Sequence, residues 1–243
     1  MTLLAWPRRV GALTQLAVED PANPELSRDA HHHLRTVLRA REGEEVVVTD
    51  GRGAWSFCEV TASGLTRVSE VVVDPAAPAT TLYLAPLKGD RAERSVAQAT
   101  ELGVGTIVPL LSEHVVVRWR GEARDKVLAR WRRIAREACG QCRRTYFPVV
   151  ADPVGVGRVP GDVAVSDPAG DPDWSGCTSV AVGPEGGWAP DEWGPQHRRL
   201  SLGPTVLRAD TAAVVAAALV SFAAGDWGFS LRGSRMGKDE GTT

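Results

Sequence analysis

Between Thr80 and Ala224 the chain alternates two hydrophobic periods, and this alternation restricts its folds more than any other feature. TLYLAPL reads as a strand, Asp90 to Leu102 as a helix, TIVPLL as a strand and Gly121 to Cys142 as a helix. VAVSDP, SVAVGP and RLSLG follow as strands, and Asp210 to Ala224 as a last helix. Strands interleaved with helices predict an α/β unit whose sheet is mostly parallel and flanked by helices. In the long helix Val127, Leu128, Trp131, Ile134, Ala135, Ala138 and Cys142 recur at helical spacing, so that stripe is core. Asp90 stands where an N-cap belongs, with Gly103 just past the same helix. The last helix, capped by Asp210 and stopped by Gly225, is apolar all round. It therefore demands cover on every side, from its own domain or from another subunit.

The first part of the chain reads differently. EEVVVTDGRGAWSFCEV gives two strands around a DGRG turn, TRVSEVVV gives a third, and helical periods are scarce before Asp90. A small β-barrel over residues 1–74 is expected, joined by the Asp74-Pro-Ala-Ala-Pro78 linker to an α/β domain at 78–228. Residues 229–243 are polar and glycine-rich and read as a disordered tail. No stretch approaches the roughly 18 apolar residues of a membrane span, and no charged start precedes an apolar signal core, so a cytoplasmic protein is expected.

The formal net charge of −2 conceals segregation. Arg118 to Arg144 carries ten basic residues against three acidic, whereas Asp152 to Asp173 carries five Asp against one Arg. A polyanion can dock on the first and avoid the second, although such a run is equally the solvated face of a helix. Cys139 and Cys142 have CxxC spacing without a second pair to complete a zinc site. They read as packed thiols, and no metal is expected.

Two segments near the C-terminus carry the chemistry. In VAVGPEGGW (Val180 to Trp188) and LSLGPTVLRADTAA (Leu200 to Ala213) an apolar run breaks into a Gly/Pro loop. Gly183, Gly186, Gly187 and Gly203 let backbone approach a ligand, so the two loops are expected to share one pocket. Glu185 would repel a triphosphate but can face a cation or ribose hydroxyls. Neither GxGxxG nor GxxxxGK[ST] occurs, which excludes Rossmann and P-loop nucleotide sites. Arg208 precedes a helix N-terminus, where the dipole disfavours a cation. Either it stabilises charge on a substrate or it pairs with Glu185 or Asp210. The histidines, at 31–33, 114 and 197, stand in neither motif, and none recommends itself as a general base.

GPEGG and LGPTVLRADTA resemble the motifs of the RsmE family of RNA methyltransferases, within the knotted SPOUT superfamily. The resemblance extends to HLRTVLR (His33 to Arg39), KGDRAERSVAQATELGV (Lys88 to Val104) and RWRRIAREACGQCRR (Arg130 to Arg144). It implies a knotted SPOUT-type parallel sheet flanked by helices, with a trefoil knot near the C-terminus and a homodimer. It also implies a PUA-like, RNA-binding character for the N-terminal barrel. S-adenosylmethionine would be held by Val182, Gly183, Pro184, Glu185, Gly186, Gly187, Leu202, Gly203, Val206, Leu207 and Arg208. The implied reaction is methylation of N3 of a uridine in 16S ribosomal RNA within the assembled 30S subunit; Arg208, against charge developing on the base, and Glu185, as proton acceptor or ribose ligand, are the catalytic candidates. His33, Arg35, Arg39, Lys88, Arg91 and Arg144 would contact RNA. Thr205 stands where the family often has Arg, and Asp210 where it has Glu. The first departure leaves open a non-catalytic RNA-binding assembly factor, and a different target base is the other alternative.

Overall fold

A computed structural model describes residues 5–76, 79–115 and 121–225. The end of the expected linker at Pro78, the basic Arg118 and Arg120, and the expected tail at 229–243 lie outside the described residues.

The N-terminal part opens with α1 (Ala5–Gly11), β1 (Gln15–Ala17) and α2 (Arg28–His32), which runs on into a π-helical turn at His33–Val37. Then follow β2 (Glu45–Thr49), β3 (Ala54–Thr61), β4 (Gly64–Arg67) and β5 (Val72–Val73). They form one sheet in the order β1-β2-β3-β4, with β5 also on β3. Strand alternation sends Val46, Val48, Cys58 and Val60 into a core with Leu16 and Leu34, while Val47, Trp55 and Phe57 pack with Ala12. The single third strand expected from TRVSEVVV is two. Between them Ser69 Oγ accepts the Phe57 N–H at 2.9 Å and takes the place of a ladder bond.

The C-terminal part contains β6 (Thr81–Leu84), α3 (Arg91–Glu101), β7 (Thr106–Leu111), α4 (Gly121–Cys142), β8 (Val149–Val150) and β9 (Val154–Gly155). It continues through β10 (Ala164–Asp171), β11 (Ser179–Val182), β12 (Arg199–Leu200) and α5 (Ala209–Ala223). The strand order is β12-β10-β11-β6-β7-β8, with β9 on β7, and every pairing is parallel. Leu82, Leu84, Val180 and Val182 are buried with Val96 of α3, Leu128 and Trp131 of α4, and Ala213, Ala216 and Val220 of α5. The opposite face buries Leu110, Val165, Ala181 and Trp193. Among the described residues no helix is long and apolar enough to cross a membrane.

Two helix starts differ from expectation. Asp90 occupies the cap position of α3, but its carboxylate accepts from the Arg94 guanidinium at 3.3 Å and leaves the backbone N–H groups uncapped. The cap residue of α5 is Arg208, with Asp210 inside the first turn. Nor is α5 buried on all sides. Ala212, Ala213, Ala216, Ala217 and Val220 are buried, while Val214, Val215, Ala218, Leu219 and Phe222 are half-buried.

The two sheets are bonded through Asp74. Its carboxylate accepts from Arg9 at 2.8 Å, Trp55 Nε1 at 3.1 Å and Thr145 Oγ1 at 2.7 Å, and the Tyr146 hydroxyl donates to its carbonyl at 2.8 Å. The DGRG turn is more than a turn. A Cβ at Gly51 or Gly53 would lie 2.3 Å from the ring of Phe147 or Tyr146, so only glycines let these rings seat there.

Candidate functional site

Because the strands are parallel, β10, β11 and β12 deliver their carboxyl ends to one edge, where open α/β sheets bind ligands. The loops that follow β11 and β12 enclose a cleft of about 760 Å³ together with the far part of β10. Ser166 and Asp171 of β10 both register with Leu200 of β12, so the strand is irregular between them and its register shifts. A Cβ on Gly170 would sit 2.6 Å from Leu200 backbone, which only glycine avoids.

The expected shared pocket is present. Val182, Gly183, Pro184, Glu185, Gly187, Leu202, Gly203, Val206, Leu207 and Arg208 all line it. Gly186 is not in the lining, and the His114 Nδ1–H donates to the Gly186 and Gly187 carbonyls at 3.2 Å. Gly187 and Gly203 hold φ values of +69° and +133°, which L side chains rarely adopt. A Cβ on Gly183 would lie 3.1 Å from the Trp188 indole. That indole donates to the Ser166 carbonyl at 3.0 Å and meets Trp193 edge-on, with centroids 5.0 Å apart. Trp188 therefore fixes the first loop to β10.

Charges around the cleft are balanced by three arginines, Arg91, Arg199 and Arg208, and three carboxylates, Asp167, Glu185 and Asp191. Glu185 Oε1 accepts the Lys88 N–H at 3.0 Å and lies 3.5 Å from Arg91 Nη1. The Ala169 N–H and then Arg199, at 2.7 Å, hold Asp167 below the usual carboxylate range. Arg208 is exposed and has no ion pair among the described residues, so the pairing with Glu185 or Asp210 allowed by the sequence is not made. Asp210 Oδ1 is buried without a hydrogen-bond partner.

Sequence reasoning missed Ser166, Asp167, Pro168, Arg199 and Trp188 to Asp191 as cleft residues. The Asp-Pro break in VAVSDP was the available signal. Arg91, expected at RNA, forms cleft wall. Of the other expected RNA contacts, His33, Arg39 and Lys88 are exposed. Arg35 donates to the Ala40 and Thr61 carbonyls, and Arg144 donates to the Thr100 and Val104 carbonyls at 2.7 and 3.0 Å, so both brace the fold.

Residues 75–221 match the RNA methyltransferase domain model and residues 26–69 the RNA methyltransferase PUA domain model. Ribosomal RNA small subunit methyltransferase E of Mycobacterium bovis is 34% identical over 227 residues, covering 82% of this chain and 86% of the relative. The chain belongs to the RsmE family. The RsmE protein of Synechocystis is 31% identical, over 78% of this chain and 70% of that one. Among solved structures, a methyltransferase from Legionella pneumophila in complex with bound SAM superimposes with a TM-score of 0.75 at 26% identity, covering 86% and 97% of the two chains. The RsmE protein of Neisseria gonorrhoeae, bound to S-adenosyl methionine, gives 0.73 at 26% identity over the same shares. Within this RsmE-family chain Thr205, where Arg is frequent, is an exposed part of the cleft wall.

Proposed function

We propose that this RsmE-family protein uses S-adenosylmethionine to methylate N3 of a uridine in the 16S ribosomal RNA of the small subunit. The carrying observation is the cleft itself, with two glycine-bearing loops facing one unpaired arginine. The residues fit the cofactor. Gly183 keeps open a space bounded by Trp188, Gly187 and Gly203 expose backbone, and Val182, Leu202 and Leu207 supply apolar wall. When bound, S-adenosylmethionine supplies a methyl carbon made electrophilic by its sulfonium.

Loss of the uracil N3 proton leaves negative charge shared with O2 and O4, and the methyl then passes to N3 as its carbon–sulfur bond breaks and the neutral thioether leaves. Arg208, at the α5 N-terminus, donates toward that charge, and the helix dipole adds in the same sense. Asp167 and Glu185 already accept from Arg199 and from Lys88 and Arg91. Asp191, without a hydrogen-bond partner among the described residues, takes the N3 proton. Alignment of the two reactants contributes up to about 7 to 11 kcal/mol.

The protein works as a cytoplasmic homodimer on the assembled 30S subunit. The half-buried apolar side of α5 supports the dimer. His33 and Arg39 remain the exposed RNA contacts of the N-terminal sheet.

The test is transfer of radiolabelled methyl from S-adenosylmethionine to small subunits from cells lacking this gene, followed by nucleoside analysis. Label in N3-methyluridine is the expected result. Label in another nucleoside overturns the base assignment. No label despite cofactor and RNA binding indicates the non-catalytic assembly factor, the reading that Thr205 favours.

A further inference from the structure

We infer that a groove where α4 meets the DGRG turn is a second docking site for single-stranded RNA of the substrate; the inference rests on the ribosomal RNA reading above. The groove, of about 230 Å³, is lined by Arg132, Arg136, Phe147, Pro148, Val149 and Val150. Its construction follows from α4. With Leu128, Trp131 and Ala135 buried, Arg132 and Arg136, one turn apart, are left exposed on the helix.

The floor of the groove is held in place. The Phe147 N–H donates to the Gly51 carbonyl at 2.9 Å, and the Phe147 ring packs where a side chain at Gly51 would otherwise be. The Arg136 guanidinium carbon lies 5.7 Å from the centre of that ring. Arg132 Nε donates to the Val150 carbonyl at 3.2 Å, which fixes the second guanidinium. Arg52, on the same turn as Gly51, has a side chain 78% exposed.

Local acids only partly offset these charges. Asp152 takes Arg132 Nη2 at 3.3 Å and Asp50 lies 3.5 Å from Arg52, whereas Arg136 has no ion partner among the described residues. Val149 stands 60% exposed at the rim, an apolar side chain beside two guanidinium groups. Planar guanidinium groups over an aromatic and apolar floor suit an unstacked base and its flanking phosphate.

The groove is well separated from the cleft. It adjoins β8, and the three strand spacings of about 4.8 Å from β8 to β11, whose loop walls the cleft, come to about 14 Å. Contact here therefore acts on RNA docking and leaves the cofactor site untouched.

The experiment uses the full-length protein in two variants, R132Q/R136Q and V149E. The second adds negative charge at an exposed position, and an unchanged thermal midpoint verifies its fold. For both, KM for small subunits should rise about ten-fold with kcat and S-adenosylmethionine affinity unchanged. Binding of protein-free 16S ribosomal RNA should weaken too, with a shallower salt dependence. Wild-type KM and RNA affinity in both variants overturn the inference. So does weaker binding to assembled subunits with wild-type binding to protein-free RNA, which would make the partner an acidic protein. If the wild-type protein itself transfers no methyl, the enzymatic reading fails, and the RNA-binding comparison still decides the groove.

Discussion

The backbone N–H of Lys88 donates to Glu185 Oε1 across 3.0 Å and so joins the loop after β6 to the loop after β11. Arg91, at 3.5 Å, reinforces the same carboxylate. In this geometry Glu185 clamps the two loops together. Glu185→Gln keeps an acceptor oxygen for Lys88 and should hold kcat within a few-fold. Glu185→Ala removes it and should raise KM for S-adenosylmethionine about ten-fold, as expected for losing a charge-assisted hydrogen bond. Steady-state kinetics decide, and abolished turnover in the glutamine variant would return the carboxylate to proton transfer.

Arg208 lines the cleft and its guanidinium has no ion pair among the described residues. Arg208→Ala should cost about 2.7 to 4 kcal/mol of transition-state stabilisation, roughly a hundred- to thousand-fold in kcat. Cofactor affinity, read by calorimetry, should stay near the wild-type value. Equal losses in both quantities would make the arginine structural.

Asp191 is assigned the N3 proton because the two other cleft carboxylates are engaged. Asp191→Asn should lower kcat roughly a hundred-fold, in the range of general-base contributions, with S-adenosylmethionine affinity near the wild-type value. Wild-type kcat in this variant would assign the proton to solvent.

The junction at Asp74 has a definite pH sense. Burial pushes its carboxyl up, but hydrogen bonds from Thr145, Arg9 and Trp55 outweigh burial and leave it below the ordinary carboxylate value. Its contribution to stability is therefore complete above an unfolded value of about 3.9 and is lost as pH falls through the lower folded value. Asp74→Asn should lower the thermal midpoint at pH 7, and the gap to wild type should close in acid. Calorimetric melts from pH 7 to pH 2 test this, and a gap independent of pH would remove the electrostatic account.

Cys142 is the thiol set apart for reaction. The Cys139 thiol beside it, helped by Arg144, lowers it below the ordinary thiol value against the opposing effect of burial. Cys58, Cys139 and Cys177 are buried and raised. Iodoacetamide at pH 7 should label Cys142 first, as peptide mass analysis would show. Simultaneous labelling of all four cysteines would contradict it.

What the sequence determined by itself was whatever depends on neighbours along the chain. The alternating periods specified the parallel α/β layers, the buried stripe of α4 and both glycine loops, because period and turn chemistry are local properties. Even the union of the two loops was legible, since both follow strands that end at one edge. The tertiary structure alone decided which charges are free. Arg35, Arg144 and Arg208 look alike in sequence, yet the first two meet carbonyls 26 and 44 residues away and the third meets none. It also decided that Asp167 and Arg199 belong to the cleft and that Gly51 and Gly53 seat aromatic rings 96 and 93 residues further along. A side chain's partner across such a separation is set by how the layers close in three dimensions, and local period carries no record of it.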